Sequence, residues 1–262
     1  MTRWLLRMMT ELSSRKFVSR MTGRFAKSSF SRRFIARFAA TYKIPIEDAE
    51  KRIDEYVSLN DFFTRRLKPG RRPIDATPSA LVSPVDALIT GCGVIEDGML
   101  LQVKGQDYTI EELLNESPRL SQYRHGYFWV LYLSPTDYHR IHSPCEGEIV
   151  ETEHIPGRVY PVNEFGLTKM RRVLSRNERL VTYIRNDVGE AAVVKVGALN
   201  VSSIRYVEPM PKTLGRGDEL AYFEFGSTIV LLTEDGTLVP RSDLKTGSKV
   251  VMGEKLGTLT VR

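Results

Sequence analysis

The sequence holds only two cysteines, Cys92 and Cys145, and no Cys-x-x-Cys. A disulfide framework is thereby excluded, and a reducing compartment suits the chain. Long apolar runs are also missing: the longest, Tyr127 to Leu133, has seven residues, far below the roughly 18–20 that cross a bilayer as a helix. A run of that length reads as a buried strand. Histidine is scarce, with four in 262 residues, and neither an internal repeat nor a low-complexity tract occurs. What remains is ordinary globular material, 42% hydrophobic and 27% charged, with 19 Gly and 13 Pro dispersed along it. Disordered, collagen-like and coiled-coil classes do not fit that composition.

Acidic residues are nearly missing from the first forty positions. Ten Lys and Arg face Glu11 alone there, a balance of +9, while the other 222 residues carry −3 and the whole chain +6. Trp4, Leu5, Met8, Met9 and Leu12 fall on one helical face, and Phe30, Phe34, Ile35 and Phe38 repeat the arrangement. Such a basic amphipathic segment can lie in an anionic lipid interface, or it can pack on the body or a twin subunit with its cations solvated. Both readings stand on the segment alone. Arg7 interrupts the apolar stretch and no small-x-small site follows, which argues against a cleaved signal peptide. No nucleic-acid partner is expected, because the −3 body offers neither a continuing positive track nor a reading motif.

Ile46, Ala49, Ile53 and Tyr56 mark a short helix and Leu59, Phe62 and Phe63 another, before Pro69-Gly70-Arg71-Arg72-Pro73 breaks the pattern. Beyond it, strand-like segments alternate with Gly and Pro at 81–82, 127–133, 148–151, 180–184, 191–196, 201–205, 220–223, 228–232 and 250–252. One helix, 110–115, interrupts them behind a Thr109/Glu112 capping box. The expected fold is α+β: N-terminal amphipathic helices over 1–68, then a compact, β-rich, mostly antiparallel body over 69–262.

Two of the four histidines sit in Ser134-Pro135-Thr136-Asp137-Tyr138-His139-Arg140-Ile141-His142-Ser143-Pro144. The flanking Ser-Pro pairs suggest a loop pinned at both ends, and in a helical turn the three-residue interval would put both imidazoles on one side. His-x-x-His with Cys145 or His154 nearby can hold zinc, but no familiar spacing completes a ligand set, so no metal is assigned. An imidazole with its ordinary pKa of about 6.5 also suits acid–base work, and two surface histidines in a turn are the plain alternative. Far down the chain Gly226-Ser227-Thr228 leads directly into an apolar run. Ser227 there would become a nucleophile once a base took its proton. Asp86, after the Pro-fixed turn Ser83-Pro84-Val85, is a carboxylate able to orient such a base. Each motif singly is more often turn punctuation than catalysis.

Taken together, the chain resembles the phosphatidylserine decarboxylase family. The matching stretches run through most of 60–262: Phe62-Phe63-Thr64-Arg65-Arg66-Leu67-Lys68, Arg72-Pro73-Ile74-Asp75, Ser83-Pro84-Val85-Asp86, Lys104-Gly105-Gln106-Asp107-Tyr108, Tyr132-Leu133-Ser134-Pro135, the histidine loop, Tyr160-Pro161-Val162-Asn163, Asn177-Glu178-Arg179, Val196-Gly197-Ala198 and Phe225-Gly226-Ser227-Thr228. Two positions depart from the family pattern, Phe225 where Leu is usual and Ala87 where Gly is usual.

The resemblance implies a self-processing, pyruvoyl-dependent decarboxylase of phospholipid biosynthesis that converts phosphatidylserine to phosphatidylethanolamine and CO2. By that likeness Asp86 orients His142, His142 deprotonates Ser227, and Ser227 attacks the Gly226 carbonyl. Cleavage at Gly226-Ser227 would give a β chain, 1–226, and an α chain, 227–262, with Ser227 becoming the covalent pyruvoyl cofactor and Schiff-base site. His139 is implied in substrate positioning or proton transfer during decarboxylation. Also implied are a homodimer of β/α heterodimers and a peripheral location on the cytoplasmic face of the cell membrane, with phosphatidylserine in the anionic membrane as partner. Lipid docking then becomes the favoured reading of the basic 1–68 region. The competing class is a non-catalytic, lipoyl- or biotin-carrier-like β module with a basic membrane-binding arm, suggested by Pro144-Cys145-Glu146-Gly147-Glu148-Ile149. It lacks a convincing hairpin lysine for attachment.

Overall fold

Two neighbouring apolar runs, 127–133 and 227–233, build the centre of the molecule. The computed structural model describes residues 16–96, 99–103, 106–160, 162, 170–198, 204–224 and 227–261. Strand β13 (Ser227–Thr233) lies between β5 (Tyr127–Leu133) and β9 (Glu190–Val196), antiparallel to both, with Val230 opposite Val130 on one side and Val194 on the other. Successive strand side chains point to opposite faces. Val230 and Leu232 therefore join Phe128, Val130, Ala192 and Val194 in one apolar cluster, while Ile229 and Leu231 join Trp129, Leu131, Leu133 and Val193 in another. Coverage on both faces is why these strands are apolar without alternation.

The full sheet runs β11 (Thr213–Leu214), β7 (Gly147–Ile155), β8 (Arg179–Arg185), β9, β13, β5, β2 (Ala87–Val94), β15 (Lys249–Val250), with antiparallel pairing throughout. Against its first face pack the hairpin β3 (Met99–Val103) and β4 (Gln106–Thr109) and the short helices α4 (Ile110–Leu113), α5 (Leu120–Tyr123) and α6 (Val173–Arg176), contributing Tyr108, Ile110, Leu113, Tyr123, Val173 and Leu174. Two three-stranded sheets cover the other face: β1 (Ala80–Val82), β16 (Lys255–Leu259), β14 (Leu238–Pro240); and β10 (Ile204–Tyr206), β12 (Glu219–Phe223), β6 (Arg140–His142). The architecture is the β-rich, antiparallel α+β body expected, and Thr109 caps α4 by accepting from the Glu112 N–H at 3.2 Å.

Ahead of the body come α1 (Lys16–Lys27), a 3-10 stretch at Ser29–Phe34, α2 (Ile35–Tyr42) and α3 (Leu59–Phe63). The fully buried Ser31 ties them together: its hydroxyl donates to the Ala26 carbonyl at 2.8 Å and accepts from the Leu59 N–H at 2.9 Å. Ile35, Ala39, Ile44, Ala49, Tyr56 and Phe62 form a small core of their own. Trp4 to Leu12 lie outside the described residues.

Two expectations need correction. The 46–56 segment is two 3-10 turns, Ile46–Asp48 and Ile53–Glu55, separated where Ala49 bridges to Leu67. That backbone pairing holds Ala49 extended and prevents a helix. The histidine segment is no helical turn either: Arg140–His142 is strand β6, and His139 precedes it in irregular chain. Of the 201–205 strand, residues 204–205 are described, and the strand there runs on to Tyr206.

One charged group is held deep in the large sheet. The Glu190 carboxylate, its side chain 0% exposed, accepts from the Tyr123 hydroxyl at 2.8 Å, Arg119 at 2.5 Å and Arg185 at 2.9 Å. Removing one member of such a group strands the others. Glu190→Ala should lower unfolding free energy by roughly 2–3 kcal/mol in a denaturant titration, somewhat less than for a wholly buried pair because both arginines reach water.

Candidate active site

Strand order brings the sequence-distant motifs together. His142 sits in β6, and its backbone N–H donates to the Pro84 carbonyl at 2.9 Å, which sets the strand against the Ser83-Pro84-Val85-Asp86 turn. Beside β6, β12 pairs through Tyr222 opposite Arg140, and the Phe223 N–H donates to the His139 carbonyl at 3.0 Å. Phe223 lies four residues before Ser227, which opens β13 opposite Leu133. The loop leaving Leu133 carries His139. Phe225 and Gly226 lie outside the described residues.

The buried His142 imidazole is committed on both nitrogens. Nδ1 lies 2.7 Å from the Gly217 carbonyl and Nε2 lies 3.1 Å from the Tyr138 hydroxyl. A carbonyl only accepts, so Nδ1 carries the proton and Nε2 accepts from Tyr138. Burial lowers the pKa of this histidine, keeping it neutral with Nε2 as the basic atom. Gly217 can offer its carbonyl because it adopts φ +88°, and a Cβ there would come within 2.7 Å of Ile74.

Asp86 is also buried and fully engaged. Arg72 grips both its oxygens, Nε at 2.7 Å from Oδ1 and Nη2 on Oδ2, and the Met252 N–H donates to Oδ1 at 2.9 Å. Among the described residues no hydrogen bond joins Asp86 to His142. The carboxylate acts on the imidazole through space, favouring its protonated form, while the Gly217 carbonyl fixes the tautomer. Ala87 opens β2 in the strand with a buried methyl. Its backbone is not among the positive-φ positions, so nothing local demands glycine there.

His139 and Ser227 present the opposite situation. His139 is 0% exposed, its Nδ1 donates to the Asp137 carbonyl at 2.9 Å, and its ring lies 4.0 Å from that of Phe63. Burial drives its pKa down to about 3, and Nε2 has no partner among the described residues. The Ser227 hydroxyl, equally buried, has none either, nor has that of Thr228. Buried polar atoms are rarely left so unless they await chemistry or a ligand. The site thus offers a hydroxyl free to react, two neutral imidazoles and a fixed carboxylate.

Arg72, Tyr138 and Gly217 were not singled out by sequence reasoning. Arg72 and Tyr138 stand inside the quoted motifs, but their partners lie across the fold and no local spacing announces them. Of the zinc alternative, Cys145 is buried and His154 pairs with Glu178 at 3.0 Å. Among the described residues no group of three or more His, Cys, Asp or Glu is disposed to hold a metal.

Comparison with known proteins agrees in one direction. A family model described as phosphatidylserine decarboxylase matches residues 59–258. The phosphatidylserine decarboxylase proenzyme of Anoxybacillus flavithermus is 41% identical over 259 residues, covering 99% of this chain and 97% of that protein. Those of Bacillus thuringiensis and Bacillus cereus are each 40% identical over 258 residues, covering 98% of both chains. The family model covers most of the chain and these relatives span nearly all of it, so the chain belongs to the phosphatidylserine decarboxylase family.

Proposed function

We propose that the chain cleaves itself between Gly226 and Ser227 and then decarboxylates phosphatidylserine to phosphatidylethanolamine at an anionic membrane surface. The observation that carries this reading is Ser227, buried at the first position of the central strand with an unpartnered hydroxyl beside the histidine loop. In processing, His142 Nε2 takes the hydroxyl proton, exchanging its bond with Tyr138 to do so. Ser227 Oγ bonds to the Gly226 carbonyl carbon as the peptide C–N bond breaks, leaving an ester and a free amine. Loss of the Cα proton and cleavage of the Cβ–O bond release the Gly226 carboxylate. Water then replaces the nitrogen, and ammonia departs.

A pyruvoyl group made from Ser227 suits its surroundings, since the hydroxyl consumed bonds nothing else among the described residues. Such a group supplies a carbonyl electron sink for the pair left behind as CO2 departs. His139, neutral at physiological pH, holds the substrate amine through Nε2 rather than serving as a proton reservoir. The surface also fits a lipid substrate. Met21, Phe25, Phe30 and Phe34 are exposed, with the three phenylalanine rings 5.8–6.2 Å apart. Exposed Arg24, Lys27, Arg32, Arg33 and Arg37 surround them, the composition of an interfacial anchor. Among the described residues no helix is long and apolar enough to cross a membrane. Nothing in the fold or the relatives favours the carrier-like alternative.

Intact-mass analysis should find fragments 1–226 and 227–262, the smaller without a free N-terminal amine. Ser227→Ala and His142→Ala should stay uncleaved, whereas His139→Ala should cleave yet lose about 100-fold in kcat through misplacement of the substrate amine. A stable single wild-type chain would sink the proposal.

Burial of a neutral His139 also links stability to pH. Its folded pKa of about 3 lies below the ordinary value of 6.5, so the stabilisation is complete above about 6.5 and drains away as pH falls toward 3. His139→Gln should lose less stability than wild type between pH 7 and pH 5 in paired denaturant titrations. Equal losses would show that His139 is not buried neutral.

Replacing Phe25, Phe30 and Phe34 together by Ser should cut co-sedimentation with anionic vesicles at least tenfold without altering self-cleavage. If binding is unchanged and the variant instead alters size-exclusion mass, the aromatic face is a subunit contact.

A further inference from the structure

Arg65 is 3% exposed and follows α3 in the motif Phe62-Phe63-Thr64-Arg65. Its guanidinium lies over the Phe62 ring at 5.4 Å, and Nη2 donates to the Thr136 carbonyl at a long 3.3 Å. Nε and Nη1 are buried without a partner among the described residues. The nearby carboxylates are occupied: Asp86 by Arg72 and Met252, Asp137 by the Ser134 N–H at 2.6 Å and the Thr136 hydroxyl at 3.3 Å. Arg179 shows how this fold treats a buried arginine that is purely structural. At 2% exposure its guanidinium donates to the carbonyls of Leu113, Asn177 and Glu112 at 2.7–3.2 Å and to that of Ser175. Arg65 has one weak bond and two unpartnered nitrogens. Keeping a cation in such a place is destabilising unless an anion arrives to meet it.

This underused guanidinium stands at the site just described. Thr136 belongs to the loop that carries His139, the Phe63 ring packs on the His139 ring, and the Arg65 charge acts on both His139 and Asp86. A serine phospholipid brings two anions, a carboxylate and a phosphodiester. The carboxylate loses its charge as CO2 forms, so a cation bound there would stabilise the ground state more than the transition state and slow the reaction. The phosphodiester keeps its charge throughout, so a buried guanidinium with spare N–H donors can hold it equally in the ground and transition states. Resting on the function proposed above, we infer that Arg65 anchors the headgroup phosphodiester of the lipid substrate through its unpartnered N–H groups. It thereby selects a phospholipid over free serine, and it contributes uniform binding rather than rate.

The test compares short-chain phosphatidylserine with its neutral methyl phosphotriester on the full-length, self-processed protein. Arg65→Met keeps the volume and removes the charge. It should process normally, unfold at the same temperature as wild type or higher, and raise KM for phosphatidylserine about tenfold or more with kcat within about twofold. KM for the triester should be nearly the same in both proteins. A lowered melting temperature, failure to fold, a fall in kcat at constant KM, or an equal KM rise for both lipids would assign Arg65 a structural or chemical role and overturn the inference. The wild-type protein gives a second readout that does not depend on turnover: at equal concentration phosphatidylserine should raise its melting temperature more than the triester does. Equal shifts refute the anchor whether or not the lipid is decarboxylated, while selective shifts without CO2 release refute the decarboxylase reading and leave the anchor standing.

Discussion

Ser227 is the first residue of a strand whose seven side chains are all buried and whose backbone is bonded on both sides, to β5 and to β9. A nucleophile rooted there has little freedom, because moving it would break two ladders at the centre of the core. The same placement governs the proposed cleavage. Everything after Ser227 is woven into the rest: β13 between β5 and β9, β15 on β2, β16 on β1. A cut before Ser227 would free a chain end at the reacting position while hydrogen bonds and two apolar clusters kept the pieces assembled. The fold would tolerate such a cut because Ser227 stands where the strand begins, not within it.

Around that fixed point, polar groups divide into committed and uncommitted. His142 and Asp86 are committed, the first to Gly217 and Tyr138, the second to Arg72 and Met252. Their orientations are set by backbone and by neighbours, so Asp86 influences His142 as a field and not as a bonded partner. His139 Nε2, the Ser227 hydroxyl and two nitrogens of Arg65 are uncommitted although buried. Leaving buried donors and acceptors open is destabilising, and the proposed function gives these four atoms a use that would offset that cost.

Legibility followed locality. Strands β5 and β13 could be seen in the sequence because burial on both faces leaves an apolar run, and the α4 cap because Thr109 and Glu112 are three residues apart. Strand β2 was missed because Gly91, Cys92 and Gly93 break its pattern, and β14 and β16 because they are short and interrupted by Pro240 and Gly257. Strand β6 is polar enough to pass for a turn, and only its pairing with β12 makes it extended. The site residues Asp86, His139, His142 and Ser227 came through family likeness, since each motif was ambiguous alone. Their partners did not: Met252 meets Asp86 across 166 positions and Gly217 meets His142 across 75, distances over which spacing carries no signal.

The two unusual features of charge, a basic arm and a buried cation, are joined by the chain itself. Arg24, Arg32, Arg33 and Arg37 of the arm are exposed, and screening in water would reduce each to a weak, long-range attraction for an anionic surface. Arg65 stands where screening fails and a single anion can be gripped. Lys27, at the end of α1, pairs at 2.7 Å with the buried Glu224, three residues before Ser227. Helix α1, which presents Phe25 to the outside, is therefore fastened within three residues of the nucleophile. On the proposed function, a lipid held by the arm would not travel along a flexible linker to reach the site, because the side chain that ends this helix also holds the segment leading into the central strand.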